Sequence, residues 1–396
     1  MTPPAVEAID FFYLSMPRIE DIGDGSQDML LVRVRAGDHT GWGECEASPL
    51  PTIAGLVCPM SHSACKPVAA SVLGQRLADP ADIARISRDV RANSLDLLQA
   101  AHVLSGIEIA LWDLLGRRSE VPVHTLLGYP RAYPKTAYAS ALFGDTPAET
   151  EAKAAKVRAD GFRAAKFGWG PYGRGDVAAD AEQVRAARAG LGPDLHLLVD
   201  AGTVWGEDVE AATARLPALE ECDVTWLEEP FETGALRAYA ELARRCRGVR
   251  LAGGEGAHHP HLAQHLVDYG GIGFVQIDTG RIGGIGPARE VAAYAVEAGV
   301  TFVNHTFTSP LALSASLQPY AGLAEHVLCE FPVEASPLAR AATTTPMVPD
   351  ADGQVCLPDA PGLGLEVSPD ALRPYLRDVE ITVDGTTLYR TPDLTT

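Results

Sequence analysis

The sequence predicts an α/β fold of the TIM-barrel type, eight parallel strands closed into a barrel and preceded by a smaller α+β domain. Three observations carry this. Between residues 136 and 331, eight short apolar runs alternate with amphipathic stretches, the pattern of strands joined by crossover helices. Eight parallel strands in ~200 residues close most economically into a barrel, with an open doubly wound sheet as the alternative. Nearly every run ends in a polar residue, at the end of the strand where barrel enzymes build their sites.

Residues 5–15 (AVEAIDFFYLS) and 29–46 (MLLVRVRAGDHTGWGECE) alternate or run apolar around a Gly/Asp-rich break and read as strands of an antiparallel meander. From Pro80 to Gly128 the spacing turns helical, with Ile107, Leu111, Leu114 and Leu115 recurring on one face. Residues 1–130 therefore form the α+β domain, and GYPRAYPKT, with two prolines, leads out of it. The barrel is expected over residues 131–340. Its strands are TAYASA (136–141), FRAAKF (162–167), LHLLVDA (195–201), VTWLEE (224–229), VRLAGGE (249–255), GFVQID (273–278), VTFVNH (300–305) and HVLCEF (326–331). The Pro-, Gly- and Asp-rich segment 341–396 is expected to return to the first domain.

Composition narrows the function. The 396 residues carry 32 Lys and Arg against 52 Asp and Glu, a formal charge of −20 that repels nucleic-acid phosphates and anionic lipid headgroups. Neither nucleic acid nor a membrane is an expected partner, and no apolar run reaches the ~20 residues that cross a bilayer. The first residues, MTPPAVEAIDFFYLSMPRIED, lack a basic n-region, and a cytoplasmic location is expected. Seven cysteines without a CxxC read as reduced thiols. Cys58, His62 and Cys65 lie close in sequence and read as a Pro-turned loop rather than a metal site.

Lys166, Asp200, Glu228, Glu255, Asp278, His305 and Glu330 end successive strands, separated by 34, 28, 27, 23, 27 and 25 residues, each about one strand–helix unit. Side chains remote in sequence thus meet on one rim. Asp200, Glu228 and Glu255 would crowd three carboxylates together, which is too costly without a cation. Hard oxygen donors without thiolates favour Mg²⁺, with Mn²⁺ as a substitute. In the pair Glu228-Glu229, strand alternation sends the two side chains to opposite faces, so only one reaches the ion.

IEIALWDLLGR with PVHTLLG, then GFRAAK, LLVDAG, WLEEP, AGGE, QIDTGRIGGI, VNHTF and CEFP, resemble in order and spacing the mandelate racemase/muconate-lactonizing branch of the enolase superfamily. The resemblance implies a (β/α)7β barrel, a modified TIM barrel, under an α+β capping domain. It also implies Asp200, Glu228 and Glu255 as metal ligands, Asp278 with His305 as a base dyad, Lys166 as a positive contact to substrate, and Glu330 as a hydrogen-bond partner of its carboxylate. Homo-oligomers are common in this family. The family's strand-two Lys-x-Lys reads Lys166-Phe167-Gly168 here, so the second base is missing. Tyr172 and Arg174 read as loop or substrate-contact residues, and Phe167 and Trp169 as packing. Met16–Gln27 and Cys45–Cys65 resemble the loops that close over the barrel and select substrate. HHPHLAQH (258–265) reads as a helix start, and GRIGGIG (280–286) as a loop whose amides could hold an anion without a phosphate signature.

The expected function is Mg²⁺-dependent removal of a proton α to a carboxylate, followed by loss of a β-hydroxyl: a lyase, specifically a sugar-acid dehydratase giving a 2-keto-3-deoxy acid. The alternatives are a racemase or epimerase, a cycloisomerase acting on a carboxylate or lactone, and, outside enzymes, a binding protein that retained the scaffold.

Overall fold

The computed structural model describes residues 3–23, 25–45, 49–98 and 101–395. β1 (Ala8–Ser15), β2 (Asp28–Ala36) and β3 (His39–Cys45) form the expected antiparallel meander. The helix His102–Ser119 is pressed onto it. A Cβ on Gly43 would stand 2.2 Å from the Gly106 carbonyl oxygen, so only a bare backbone at Gly43 allows this approach. Every residue from Val103 to Gly116 is buried, which is why this helix lacks the one-sided apolar stripe of a surface helix.

The barrel strands follow: β4 (Lys135–Leu142), β5 (Ala164–Gly168), β6 (His196–Asp200), β7 (Val224–Glu228), β8 (Arg250–Gly253), β9 (Phe274–Asp278), β10 (Thr301–His305) and β11 (Leu328–Pro332). They are parallel in the order β10-β9-β8-β7-β6-β5-β4-β11, a nearly closed barrel under an N-terminal capping domain. Between β10 and β11 a side chain bridges the seam: Asn304 Oδ1 accepts the Glu330 N–H at 2.9 Å. The crossover helices begin where the sequence marks them. Thr146 and Glu149 form a capping box around Pro147 at the start of Pro147–Ala159. β12 (Gln354–Val355) adds antiparallel to β4, and β13 (Glu380–Val383) with β14 (Thr386–Arg390) forms a hairpin. Other residues beyond 340 bond to the first domain: Arg33 Nη2 of β2 donates to the Asp393 carbonyl at 2.9 Å, and Asp113 Oδ1 of the long helix accepts the Leu363 N–H at 2.8 Å.

Inside the barrel each strand contributes one residue to a buried apolar plug: Tyr138, Ala164, Leu198, Trp226, Ala252, Phe274, Val303 and Leu328. Strand alternation brings the residues two positions on, among them Ser140, Lys166, Asp200, Glu228, His305 and Glu330, into the next inward layer. The plug thus supports the polar layer from below.

The cap is fastened to the barrel by Glu108 of the long helix. Its Oε2 accepts the Ile285 N–H at 2.7 Å, and its Oε1 accepts the Gly286 N–H at 2.9 Å and the Trp112 indole N–H at 2.8 Å. GRIGGIG does cradle an anion, and that anion is this carboxylate at the N-terminus of the helix Ile285–Ala298. Burial pushes the Glu108 pKa up to about 7. A pKa raised on folding stabilises the fold below the unfolded value, 4.5, and that contribution is lost as pH rises through 7. The advantage of the native chain over Glu108→Gln in urea unfolding is therefore expected to shrink between these pH values, by up to about 1.4 kcal/mol per unit. An advantage independent of pH would contradict the arrangement.

Candidate active site

Lys166, on β5, is 4 % exposed and is the hub of the polar layer. Its Nζ lies 2.6 Å from Glu228 Oε1, 2.8 Å from Glu330 Oε1 and 3.6 Å from Asp200 Oδ2. Burial alone would discharge the ammonium, but the Glu228 and Glu330 carboxylates hold its pKa well above the usual lysine value. Glu228 Oε2 also accepts the Trp226 indole N–H at 3.0 Å, and Asp200 Oδ1 accepts the Gly202 N–H at 2.7 Å. Burial raises Asp200 to about 6 and Glu228 to about 8 even with Lys166 beside them.

On the other side, His305 and Asp278 are register partners on β10 and β9. His305 Nδ1 lies 2.8 Å from Asp278 Oδ2, while Asp278 Oδ1 accepts the Gly280 N–H at 2.6 Å and is thereby fixed. His305 Nε2 is 3.2 Å from Glu255 Oε2 and 3.9 Å from Glu330 Oε2. Burial opposes charge on the imidazole, but the Glu255 and Glu330 carboxylates and the bond to Asp278 raise its pKa to about 10. Glu255 follows β8 after Gly254 turns the chain at φ 125°. It accepts from Arg281 Nη1 at 2.9 Å.

A cavity of about 270 Å³ opens above these groups. Lys166, Asp200, Glu255, Arg281 and His305 line it, as do Ser140 and Leu142 of β4, Gly168 at the end of β5 with Trp169 after it, and Ile22, Gly23 and Gly25 of the cap. The first of the two expected closing loops therefore covers the site; its residue 24 lies outside the described residues. Residues 46–48 of the second loop also lie outside them, and its helix Pro49–Val57 packs Ile53 and Leu56 into the cap core. Glu330 is fully buried, reaching Lys166 and the Thr306 N–H instead of the cavity wall.

Among the described residues, no three His, Cys, Asp or Glu side chains draw together as a ligand cluster. Asp200 and Glu228 face Lys166, and Glu255 faces Arg281 and His305. The donor chemistry nevertheless fits a hard cation. Asp200, Glu228, Glu229, Glu255, Asp278 and Glu330 bring six carboxylates to this region, against the permanent charges of Lys166 and Arg281. Burial first, and the neighbouring carboxylates after it, keep Asp200 and Glu228 above the usual carboxylate range, a penalty that a bound cation would relieve.

Several expectations need correction. Glu229 does not turn away from the site. It leaves the strand at φ 38°, where alternation no longer applies, and its buried carboxyl is pushed well up by burial and by Glu255, Asp200 and Glu228. Tyr172 does lie in the loop after β5, but it is buried and stacked on Phe143 with ring centroids 5.0 Å apart instead of facing the cavity, while Arg174 is exposed. Phe167 is buried packing, but Trp169 lines the cavity. His259 caps the helix Pro260–Gly270, as a helix start should, with Nδ1 accepting the His261 N–H. His62 pairs with Asp96 at 2.9 Å in the loop between Cys58 and Cys65. Arg281 carries no signal in the sequence beyond its place in GRIGGIG, a glycine-rich segment whose amides are its more evident feature, yet its guanidinium lines the cavity and binds Glu255.

Residues 149–371 match the enolase C-terminal domain-like family, and residues 22–128 match the mandelate racemase/muconate lactonizing enzyme N-terminal domain. The chain belongs to the enolase superfamily. The crystal structure of a racemase from Streptomyces coelicolor A3(2), with bound magnesium, superposes with a TM-score of 0.79 at 25 % identity, covering 94 % of this chain and all of that one. Within the mandelate racemase branch, the chain is 29 % identical over 366 residues to D-galactarolactone cycloisomerase of Agrobacterium fabrum, covering 87 % of this chain and 90 % of that one. It is 28 % identical over 315 residues to L-talarate/galactarate dehydratase of Salmonella typhimurium, covering 78 % and 74 % respectively. The crystal structure of a predicted mandelate racemase from Rhodobacter sphaeroides superposes with a TM-score of 0.94 at 61 % identity, covering 98 % of this chain and all of that one.

The place where this enolase-superfamily chain lacks a second lysine has a steric explanation. A Cβ on Gly168 would lie 2.7 Å from the Asp200 Cβ and 3.1 Å from its Cγ. Gly168→Ala must therefore displace Asp200, and a loss of about 1–3 kcal/mol is expected in denaturant unfolding. Unchanged stability would show that this wall has room for a side chain.

Proposed function

We propose that the protein removes the proton α to a carboxylate and expels a β-hydroxyl from the same face, converting a sugar acid to a 2-keto-3-deoxy acid. The observation that carries this reading is the one-sided placement of proton-transfer groups. His305 and Asp278 stand on β10 and β9, whereas the corresponding position across the barrel is Gly168, backed by Asp200. Asp200, Glu228 and Glu255 would hold Mg²⁺, or Mn²⁺ in its place, which would supply Lewis-acid stabilisation of carboxylate charge and draw off the Glu255 charge that keeps His305 protonated.

The chain's own residues divide the remaining work. Lys166 presents a permanent positive charge at the cavity floor for the substrate carboxylate, and Glu330 holds that ammonium in place from below. His305 takes the α-proton on Nε2, because Asp278 occupies Nδ1 and fixes the tautomer. The resulting imidazolium, on the face from which the α-proton left, returns a proton to the departing hydroxyl. Loss and protonation on one face make a syn elimination, and the enol product tautomerises to the keto acid.

Epimerisation needs a base on the opposite face, and neither Gly168 nor the buried Tyr172 supplies one. A cycloisomerase is the second reading, favoured by the match to D-galactarolactone cycloisomerase along 87 % of the chain. It uses the same proton removal with a ring oxygen as the leaving group. Incubation with Mg²⁺ in D₂O and a panel of sugar acids should yield α-deuterium exchange and a keto acid. His305→Asn is expected to abolish both, whereas Asp278→Asn retains a weak residue of each through a mis-set imidazole. Exchange that persists in His305→Asn would overturn the one-base reading.

A further inference from the structure

Trp169 follows β5 with φ 55°, in the left-handed region, where a bulky residue is a genuine outlier. A conformation of this kind persists only where the surroundings impose it. Backbone bonds on either side do so: the Gly168 carbonyl accepts the Phe143 N–H at 2.9 Å, and the Trp169 carbonyl accepts the Tyr172 N–H at 3.3 Å. The indole that results is 38 % exposed, whereas Trp112, Trp205 and Trp226 are buried and Trp42 is half-buried.

Two chain segments meet this ring. From the cap comes Gly23, where a Cβ would lie 2.9 Å from the indole Cγ, 3.0 Å from Cδ2 and 3.1 Å from the Trp169 Cβ. From the barrel comes Gly202, where a Cβ would lie 2.9 Å from Cε2 and 3.2 Å from Cδ2 and Cζ2. Neither position has room for a side chain while the ring is in place. Gly202 belongs to the turn that carries Asp200, and that turn is pinned to β7: Ala201 and Thr203 donate their N–H groups to the Glu228 and Glu229 carbonyls at 2.9 and 2.7 Å. The cap loop is closed at its own base. Met16 N–H donates to the Gln27 carbonyl at 2.8 Å, Gln27 Oε1 accepts the Glu20 N–H at 2.7 Å, and Arg377 Nη2 donates to the Met16 carbonyl at 2.7 Å. These bonds hold the loop within the cap, and the contact at Gly23 carries its middle to the barrel rim.

We propose that Trp169 is a positioning residue: its indole is the seat on which the cap loop rests, fixing Ile22 and Gly23 at the cavity beside the turn that carries Asp200. The inference concerns a wall of the cavity and not the bonds broken inside it. It therefore stands apart from the elimination reading and assigns Trp169 no part in proton transfer.

A steric seat makes a pairwise prediction. Gly23 is outside the left-handed region, so its backbone accepts alanine, and the ring is what opposes the added methyl. Trypsin cleavage after the exposed Arg18 of this loop, followed by mass spectrometry with Mg²⁺ present, reports how often the loop leaves the rim. Gly23→Ala and Trp169→Ala are each expected to speed this cleavage about tenfold, and the double variant to be no faster than Trp169→Ala alone, because the methyl has nothing left to strike. Trp169→Phe, which keeps a ring, should stay within about threefold of the native rate. The urea unfolding midpoint, which a general loss of structure would lower, is expected to stay unchanged in Gly23→Ala. Effects that multiply in the double variant, a native rate in either single alanine variant, or acceleration that comes only with a matching fall in the midpoint would overturn the proposal. None of these outcomes involves turnover, so the elimination reading stands or falls separately on deuterium exchange.

Discussion

The rim of this barrel depends on holding one ammonium among several buried carboxylates. Lys166 is out of water and sits within 2.8 Å of both Glu228 and Glu330, a cluster that is stable only while opposite charges remain in register. The apolar plug below, with Trp226 donating to Glu228 and Tyr138 under the lysine, prevents the layer from relaxing into water. Because they are buried, and because further carboxylates stand beside them, Asp200, Glu228 and Glu229 retain protons more readily than exposed acids do. The same imbalance that strains the protein alone makes it receptive to a divalent cation and to a substrate whose carboxylate meets Lys166.

The cap completes the site and depends on the barrel in turn. Glu108 is bound to the helix that follows β9, and Ser105 Oγ accepts the Gly283 N–H at 2.9 Å in the same turn that carries Arg281. The cap is therefore fastened within a few residues of Asp278 and Arg281. Ser26 adds a second attachment: its Oγ accepts the Ser336 N–H at 2.8 Å, holding the end of the loop whose Ile22, Gly23 and Gly25 cover the cavity. Loop placement over the rim follows from these two fastenings, one after β9 and one after β11.

All eight barrel strands, and the seven polar residues that lie in or just past their C-terminal halves, were legible because alternation and strand–helix spacing are local properties of the chain. Asp278 and His305 come together through register alone, and the sequence spacing reports that register. What escaped depended on departures from regular strands. Glu229 reaches the charged cluster only because its φ turns positive, and Trp169 enters the cavity for the same reason. Tyr172 is a loop residue, but its burial depends on Phe143 and Trp205, contacts that lie far along the chain. Gly168 was legible as a missing base, but its reason, the Asp200 carboxylate in the space a side chain would need, was not.

Proton transfer on a single face is the consequence of this packing that matters most for function. It is tested most directly by stopping turnover of a competent acid in D₂O at partial conversion and analysing the unreacted material by NMR. The recovered acid is predicted to carry deuterium at the α-carbon with its original configuration and to contain no deuterated epimer. Accumulation of the α-epimer bearing deuterium would contradict the account, because it requires a base on the wall that Gly168 and Asp200 close.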